Sequence, residues 1–261
     1  MTMDPHHDWM LVSLSYCVSV FGSFTGLQLV SAVRQQTSNT ARIKWIISAA
    51  LALGGGAIWT MHFIGMLAYD MGMPVGYDPL ITFASLIIAV AVVAVGISIV
   101  SQKSDSLSRL LLAGLITGLG VASMHYAGME AMVVAADMSY DTGLLLLSIV
   151  IGIAAATAAL WLAFNLSGTL HQFFAAFVMG VAVCGMHYTG MAAMTMTHND
   201  AAIAITESMD AMTMGLFIFF FSMLLLVMSL IAALGQLNRQ MYDAWENEST
   251  PSSNPQPQAH H

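Results

Sequence analysis

Trp59-Thr60-Met61-His62-Phe63-Ile64-Gly65-Met66 sets an imidazole, two thioethers and a glycine inside an apolar run. The run recurs as Ser123-Met124-His125-Tyr126-Ala127-Gly128-Met129 and Gly185-Met186-His187-Tyr188-Thr189-Gly190-Met191. The shared pattern is Met-His-aromatic-x-Gly-Met. Successive histidines are 63 and 62 residues apart, which suits a repeating unit of two spanning helices and two loops. Outward from these motifs, the chain holds seven apolar runs long enough for a hydrocarbon layer of about 30 Å: Trp9–Val33, Trp45–Ala68, Leu80–Val100, Leu110–Val134, Leu144–Leu166, Phe173–Met196 and Thr213–Leu234. They are continuous rather than alternating in polarity, so a transmembrane β-barrel is not the reading. The expected fold is an all-α membrane protein of seven transmembrane helices: three helical-hairpin repeats plus a seventh helix.

Composition agrees. Of 261 residues, 58% are hydrophobic and 8% charged, whereas a soluble domain carries about 25% charge. A net charge of −8 with only six Lys+Arg leaves no basic stripe for nucleic acid. Cys17 and Cys184 both lie in apolar runs and are too few for a disulfide scaffold. The first run follows Asp4, His6, His7 and Asp8 rather than a basic leader, and it is too long for a signal-peptide core, so it reads as a retained span.

Basic residues set orientation. Arg34, Arg42 and Lys44 lie between spans one and two, Lys103 and Arg109 between three and four, and Arg239 after seven. The opposite connections carry Asp70 and Asp78, Asp137 and Asp141, then Asp200, Glu207 and Asp210. This predicts the N-terminus out and the C-terminus in. The expected organisation is an extracytoplasmic segment (1–8), a seven-helix module (9–234) and a cytoplasmic tail (235–261). The tail reads as a polar helix continuation through Trp245 and then as disordered, since it has little apolar surface to offset folding entropy.

His62 comes 17 residues after Trp45, about 26 Å along a helix, so all three histidines are expected at one depth near the outer ends of spans two, four and six. With about 100° per residue, the methionine at +4 (Met66, Met129, Met191) shares the histidine's face. Position +7 (Tyr69, Met132, Met194) and position −7 (Gly55, Gly118, Gly180) share it too. The methionine at −1 (Met61, Met124, Met186) lies on a flank that suits a neighbouring helix's site. Gly65, Gly128 and Gly190 at +3 allow close helix approach.

Desolvating three imidazoles at one level is costly without a shared use. Neutral imidazole and thioether together favour copper, Cu(I) above all, while zinc and calcium have no need of methionine. The candidate ligands are His62, His125 and His187 with Met66, Met129 and Met191, holding one or two copper ions. Auxiliary candidates are Met61, Met124, Met186, Met132, Met194 and Cys184, the last about 60° from His187. The Tyr126 and Tyr188 hydroxyls are candidates to hydrogen-bond a ligand or orient a histidine. Glu130 points away from His125 near the membrane surface. Met71, Met73, Met138, Met196 and His198 are further soft donors on the outer side, set against a plain surface-loop reading.

At Met124-His125-Tyr126 and Met186-His187-Tyr188 the sequence resembles the MHYT domain, a bacterial integral-membrane sensor module named for that motif; the first copy carries Phe63 in place of tyrosine. The resemblance covers about residues 9 to 234. It implies a multi-pass protein of the bacterial inner membrane holding copper, with a diatomic gas (oxygen, carbon monoxide or nitric oxide) as ligand. Family members often carry a cytoplasmic cyclic-dinucleotide domain, so the resemblance implies either a separate cytoplasmic signalling protein as partner or a chain that is the sensor piece of a longer protein.

Three other readings compete. Copper transport or storage would use the same ligands, but the inner halves of the spans lack a continuing ladder of His, Cys or Met. Haem could be ligated by paired histidines. A scaffold would use the histidines only for hydrogen bonds between helices. No nucleophile triad, phosphate-cradling loop or paired-acid site is present, so the chain is expected not to be an enzyme.

Overall fold

The computed structural model describes residues 6–70, 72–102, 106–199 and 208–249. Its helices are α1 Trp9–Arg34, α2 Asn39–Leu67, α3 Pro79–Gln102, α4 Leu107–Glu130, α5 Thr142–Asn165, α6 Thr169–Ala192 and α7 Ala211–Ser249. Among the described residues, α1 to α6 are the six helices long and apolar enough to cross a membrane. The expected seventh span falls in α7, whose stretch Ala211–Leu225 is apolar but shorter than those six. Chain contacts separate residues 1–225 from a second unit, 226–261. In that unit α7 continues as a helix to Ser249, in keeping with the continuation expected through Trp245. The disordered end expected beyond residue 249 lies outside the described residues, as do Asp4, Met71, Lys103, Asp200 and Glu207.

Seven short strands are β1 His6–His7, β2 Tyr69–Asp70, β3 Gly76–Tyr77, β4 Met132–Val133, β5 Ala136–Tyr140, β6 Met194–His198 and β7 Met209–Asp210. Antiparallel pairing joins β1 to β2, β3 to β4, and β5 to β6, with β7 on the other edge of β3. Each repeat is therefore strand, helix, helix, strand, with its two ends tied together. The same backbone bond closes all three: Asp8 N–H donates to Ala68 C=O at 2.8 Å, Asp78 to Ala131 at 2.7 Å and Asp141 to Ala193 at 2.8 Å.

Those three aspartates also start the odd-numbered helices. The Asp8 carboxylate accepts from the N–H groups of Met10 and Leu11, Asp78 from Ile81, and Asp141 from Leu144. Each satisfies a helix N-terminal donor that hydrocarbon could not. Asp210 caps α7 in the same way through Thr213 N–H at 2.7 Å; the hydrogen bonds from Thr213 lower its carboxyl pKa.

The strand pairing corrects one expectation. Helices α2, α4 and α6 stop at Leu67, Glu130 and Ala192, each five residues after its histidine. Tyr69, Met132 and Met194 therefore sit on β2, β4 and β6 and not on the histidine's helical face. The physical cause is the cap: the carbonyl at +6 is claimed by the incoming aspartate's N–H, and the chain turns there from helix to strand.

α2 departs from its counterparts. Leu51–Trp59 is π-helical, three consecutive glycines (54–56) lie in it, and Thr60 Oγ1 donates to Gly55 C=O at 2.9 Å. A Cβ at Gly54 would fall 2.6 Å from the Ala89 carbonyl oxygen, and one at Gly22 would fall 2.5 Å from Ala57 N. The bare backbone thus lets α2 press against both α3 and α1. α7 covers this segment, its Phe217 and Phe221 lying 5.8 and 5.7 Å from Trp59 between ring centroids.

Replacing Asp141 with alanine removes the α5 cap, and we expect a loss of about 1 kcal/mol, read as a lower unfolding midpoint in detergent. Asp141→Asn should avoid most of that loss, because an amide oxygen still accepts from Leu144 N–H.

Candidate metal centre

The three histidines are carried on α2, α4 and α6, and the repeat brings them to one level. Each is 1% exposed. Their Nδ1 atoms face one another: His125 to His62 at 3.0 Å, His62 to His187 at 3.1 Å and His187 to His125 at 3.3 Å. The rings meet edge-on at 76° to 88° with centroids 4.9 to 5.1 Å apart.

This triangle cannot be a closed set of hydrogen bonds. A ring nitrogen of a neutral imidazole either carries a hydrogen or offers a lone pair, never both. Three mutually facing Nδ1 atoms leave at least one pair in which two lone pairs, or two N–H groups, oppose each other at close to 3 Å. Protonating the rings instead would bury like charges together. A cation inside the triangle turns the three lone pairs into ligands. The centre is about 1.8 Å from each Nδ1 for the sides above, a little inside the usual metal–imidazole distance of about 2.0–2.1 Å. The residues present therefore fit a metal ion, and a small outward movement of the rings is all the bonding would ask.

The far side of each ring explains the glycine at +3. An added Cβ on Gly128 would land on the His62 ring at Nε2, one on Gly190 on that of His125, and one on Gly65 on that of His187. Each imidazole thus rests on the bare backbone of the next helix, in the cyclic order α2, α4, α6 and back to α2. The expectation of close approach at these glycines takes a specific form, ring against backbone. All three Nε2 atoms are buried without a hydrogen-bond partner among the described residues, so none of these residues fixes the rings from behind and packing holds their orientation.

Met66, Met129 and Met191 are buried to 1%, 0% and 2% exposure, as are Met61, Met124 and Met186 at 1%, 1% and 3%. Met191 reaches a cavity of about 550 Å³ at the strand end, which is also lined by His7, Trp9, Tyr69, Tyr188 and Met194. Met132 and Met194, on strands, are nonetheless buried. Cys184 lies outside the three-histidine group and bonds to Ser15. Glu130 is exposed at the end of α4. Around the strand end, burial pushes up the phenol pKa of Tyr69 and Tyr77 and brings that of Tyr140 to about 12, the last helped by nearby Glu130 and Tyr126. These hydroxyls stay neutral.

The tyrosines after the histidines do not reach an imidazole with their hydroxyls. Tyr126 bonds to Ser148 Oγ at 2.6 Å and Tyr188 to Ser15 Oγ at 3.0 Å. Ser148, Ser15 and Ser85 each already donate to a carbonyl three residues back, so the tyrosine hydroxyl is the donor. In the first repeat Phe63 has no hydroxyl, and Trp59 Nε1–H donates to Ser85 Oγ at 3.0 Å instead. Sequence reasoning missed these serines, although each follows its capping aspartate by seven residues: Asp8 and Ser15, Asp78 and Ser85, Asp141 and Ser148.

A family model described as the bacterial signalling protein N-terminal repeat, MHYT, matches residues 55–113 and 118–176. The chain belongs to the MHYT family. The third motif, around His187, follows the second matched repeat. Over 192 residues the chain is 42% identical to the bifunctional diguanylate cyclase/cyclic di-GMP phosphodiesterase MucR of Pseudomonas aeruginosa, covering 72% of this chain and 28% of that protein. It is 36% identical to the signaling protein YkoW of Bacillus subtilis, over 74% of this chain and 24% of the relative. It is 34% identical to the cyclic di-GMP phosphodiesterase NbdA of P. aeruginosa, over 78% and 27%. The chain thus spans about a quarter of the length of these curated relatives. No solved structure matches.

Two substitutions check this construction. Gly128→Ala drives a methyl into the His62 ring and should cost about 1–3 kcal/mol as overpacking, read as a lower unfolding midpoint; Gly143→Ala, outside the site at the start of α5, should cost less. Trp59→Phe removes the indole N–H that donates to Ser85 and should destabilise by about 1 kcal/mol; the double variant Trp59→Phe/Phe63→Tyr, which offers a phenol in its place, should recover part of the loss.

Proposed function

We propose that this multi-pass MHYT module is a copper-containing sensor of a diatomic gas, set in the inner membrane of a bacterium with α7 as a seventh span and the strand end facing out. The observation that carries the reading is the Nδ1 triangle of His62, His125 and His187, which hydrogen bonding alone does not satisfy. Those three residues would hold the ion, with Met66, Met129 and Met191 buried in the turn beyond them as thioether donors. Imidazole and thioether are neutral and soft or borderline, a donor set that favours Cu(I). When bound, copper supplies a soft centre open to a small further ligand.

The chain's own residues then provide the readout. Each imidazole is wedged against a glycine of the next helix, so a ring that shifts pushes the neighbouring backbone, and α2, α4 and α6 move together. The far ends of α2 and α4 carry Arg42 and Arg109 in their first turns, where the movement would meet a cytoplasmic signalling partner. A gas acts as a signal only if it favours one helix arrangement over the other. The part given to this chain is sensory rather than catalytic.

Two competing readings are less well supported. Copper transport needs a continuing ladder of ligands beyond the triad, and the space on its inner side offers only the thioethers of Met179 and Met186 in a wall otherwise almost wholly aliphatic. Haem needs room for a macrocycle, and rings whose nitrogens lie 3.0 to 3.3 Å apart leave none between them.

Elemental analysis of protein purified without an affinity tag tests the reading. We expect roughly one copper per chain, and marked loss in His125→Ala and in His187→Ala. Unchanged metal content in both variants would remove the ligand assignment. Stripping the ion with a Cu(I) chelator should lower the unfolding midpoint, because a ligand bound only by the folded state stabilises it, and the variants should show no such response.

A further inference from the structure

A partly open apolar chamber of about 70 Å³ lies on the inner side of the triad, and all six helices α1 to α6 contribute to its wall. Its roof is formed by Ile58, Val121 and Val183. These are the residues four before His62, His125 and His187, so they repeat the threefold pattern one helical turn, about 5.4 Å, further in. Met186, next to His187, lines it as well. Apart from a second thioether, Met179, the remaining wall is almost entirely aliphatic, with two polar residues. One is Thr117, whose hydroxyl donates to Val92 C=O at 3.4 Å. The other is Ser23, fully buried, whose Oγ has no hydrogen-bond partner among the described residues.

The wall facing outward from the bundle is thin. Ala155, Ala156 and Ala159 of α5 line the chamber, and α5 is the least covered of the six spans, with 17% of its apolar window buried. A molecule dissolved in the surrounding hydrocarbon has only these small side chains to pass.

We infer that this chamber takes up a small apolar gas molecule from the bilayer and delivers it to the histidine triad from the inner side. Three observations select the occupant. The space exceeds the roughly 10–15 Å³ that a single water needs. Its lining offers almost no partner for water, and apolar cavities of this kind stay dry yet bind xenon or small hydrocarbons. The Ser23 hydroxyl supplies one hydrogen bond, enough for a diatomic molecule with a weak acceptor and too little for a polar solute. Xenon binding stands on the cavity alone; the delivery role rests on the proposed metal centre.

The full chain in lipid nanodiscs, equilibrated with xenon and followed by xenon-129 magnetic resonance, tests occupancy without any metal. The parent should give a saturable protein-bound signal. Ala156→Phe, which fills the chamber, should abolish it, and Ala154→Phe, whose side chain faces out from the same helix, should leave it intact. If Ala156→Phe fails to fold, Ala159→Leu adds fewer atoms to the same space and should weaken the signal. Equal signals in the chamber-filling and outward-facing variants would overturn the chamber. So would an acyl chain found by native mass spectrometry in the parent and lost in Ala156→Phe, since a lipid tail would then be the occupant. In copper-loaded protein, carbon monoxide should associate severalfold more slowly with Ala156→Phe than with Ala154→Phe; equal rates would overturn the delivery role. A parent that binds xenon but holds no copper would overturn the metal centre and leave the chamber standing.

Discussion

Three ring nitrogens held within 3.3 Å of one another, in a space from which water is excluded, constrain the rest of this molecule. Helices whose axes normally pack 8–10 Å apart must converge at one level for side chains as short as imidazole to meet. That convergence requires bare backbone where the rings press, which accounts for Gly65, Gly128 and Gly190. It also requires the three helices to end in step, and they do so five residues past their histidines because an aspartate from the same repeat claims the next carbonyl. The short strands, the capping aspartates and the glycines thus serve one requirement: three hairpins registered to within a fraction of a turn.

The threefold pattern is kept by hydrogen bonding even where the sequence breaks it. In two repeats a tyrosine hydroxyl donates to a buried serine on an odd-numbered helix; in the first, an indole N–H four residues earlier reaches the equivalent serine. A buried phenol O–H or indole N–H without an acceptor would be costly, and the serine oxygen removes that cost in each case. Phe63 therefore does not by itself weaken the first repeat. The exchange places a bulky Trp59 against α7, and the π-helical, glycine-rich stretch before it admits that crowding. The first repeat is thus the one that α7 covers, and the bundle loses its symmetry there.

The triad also divides two different environments. Toward the strands, His7, Tyr69, Tyr188 and Met191 line an open, partly polar cavity suited to loading an ion from water. Away from the strands lies the aliphatic chamber. A carrier would need a continuing ladder of ligands on both sides, which the two chamber thioethers, Met179 and Met186, do not make, whereas a sensor needs an ion that stays in place and an apolar path for its signal. The asymmetry of the two sides favours the second.

Much of this was legible in the residues alone. The hydrophobic runs fixed the helical membrane class, because hydrocarbon tolerates no unpaired backbone and the lengths match. The spacing of 63 and 62 residues put the histidines at a common depth, and the small residue at +3 announced a close neighbour. Helical periodicity failed where the helices stop: Met132 and Met194 were read on a face that no longer exists at +7, because the strand pairing that ends the helix joins residues some 60 positions apart. Which ring nitrogens face each other, that the Tyr126 and Tyr188 hydroxyls turn away to serines, and that a chamber opens one turn below the histidines are outcomes of how six helices pack. One-dimensional periodicity reports which side of a helix a residue occupies, and only the packed bundle decides what stands opposite.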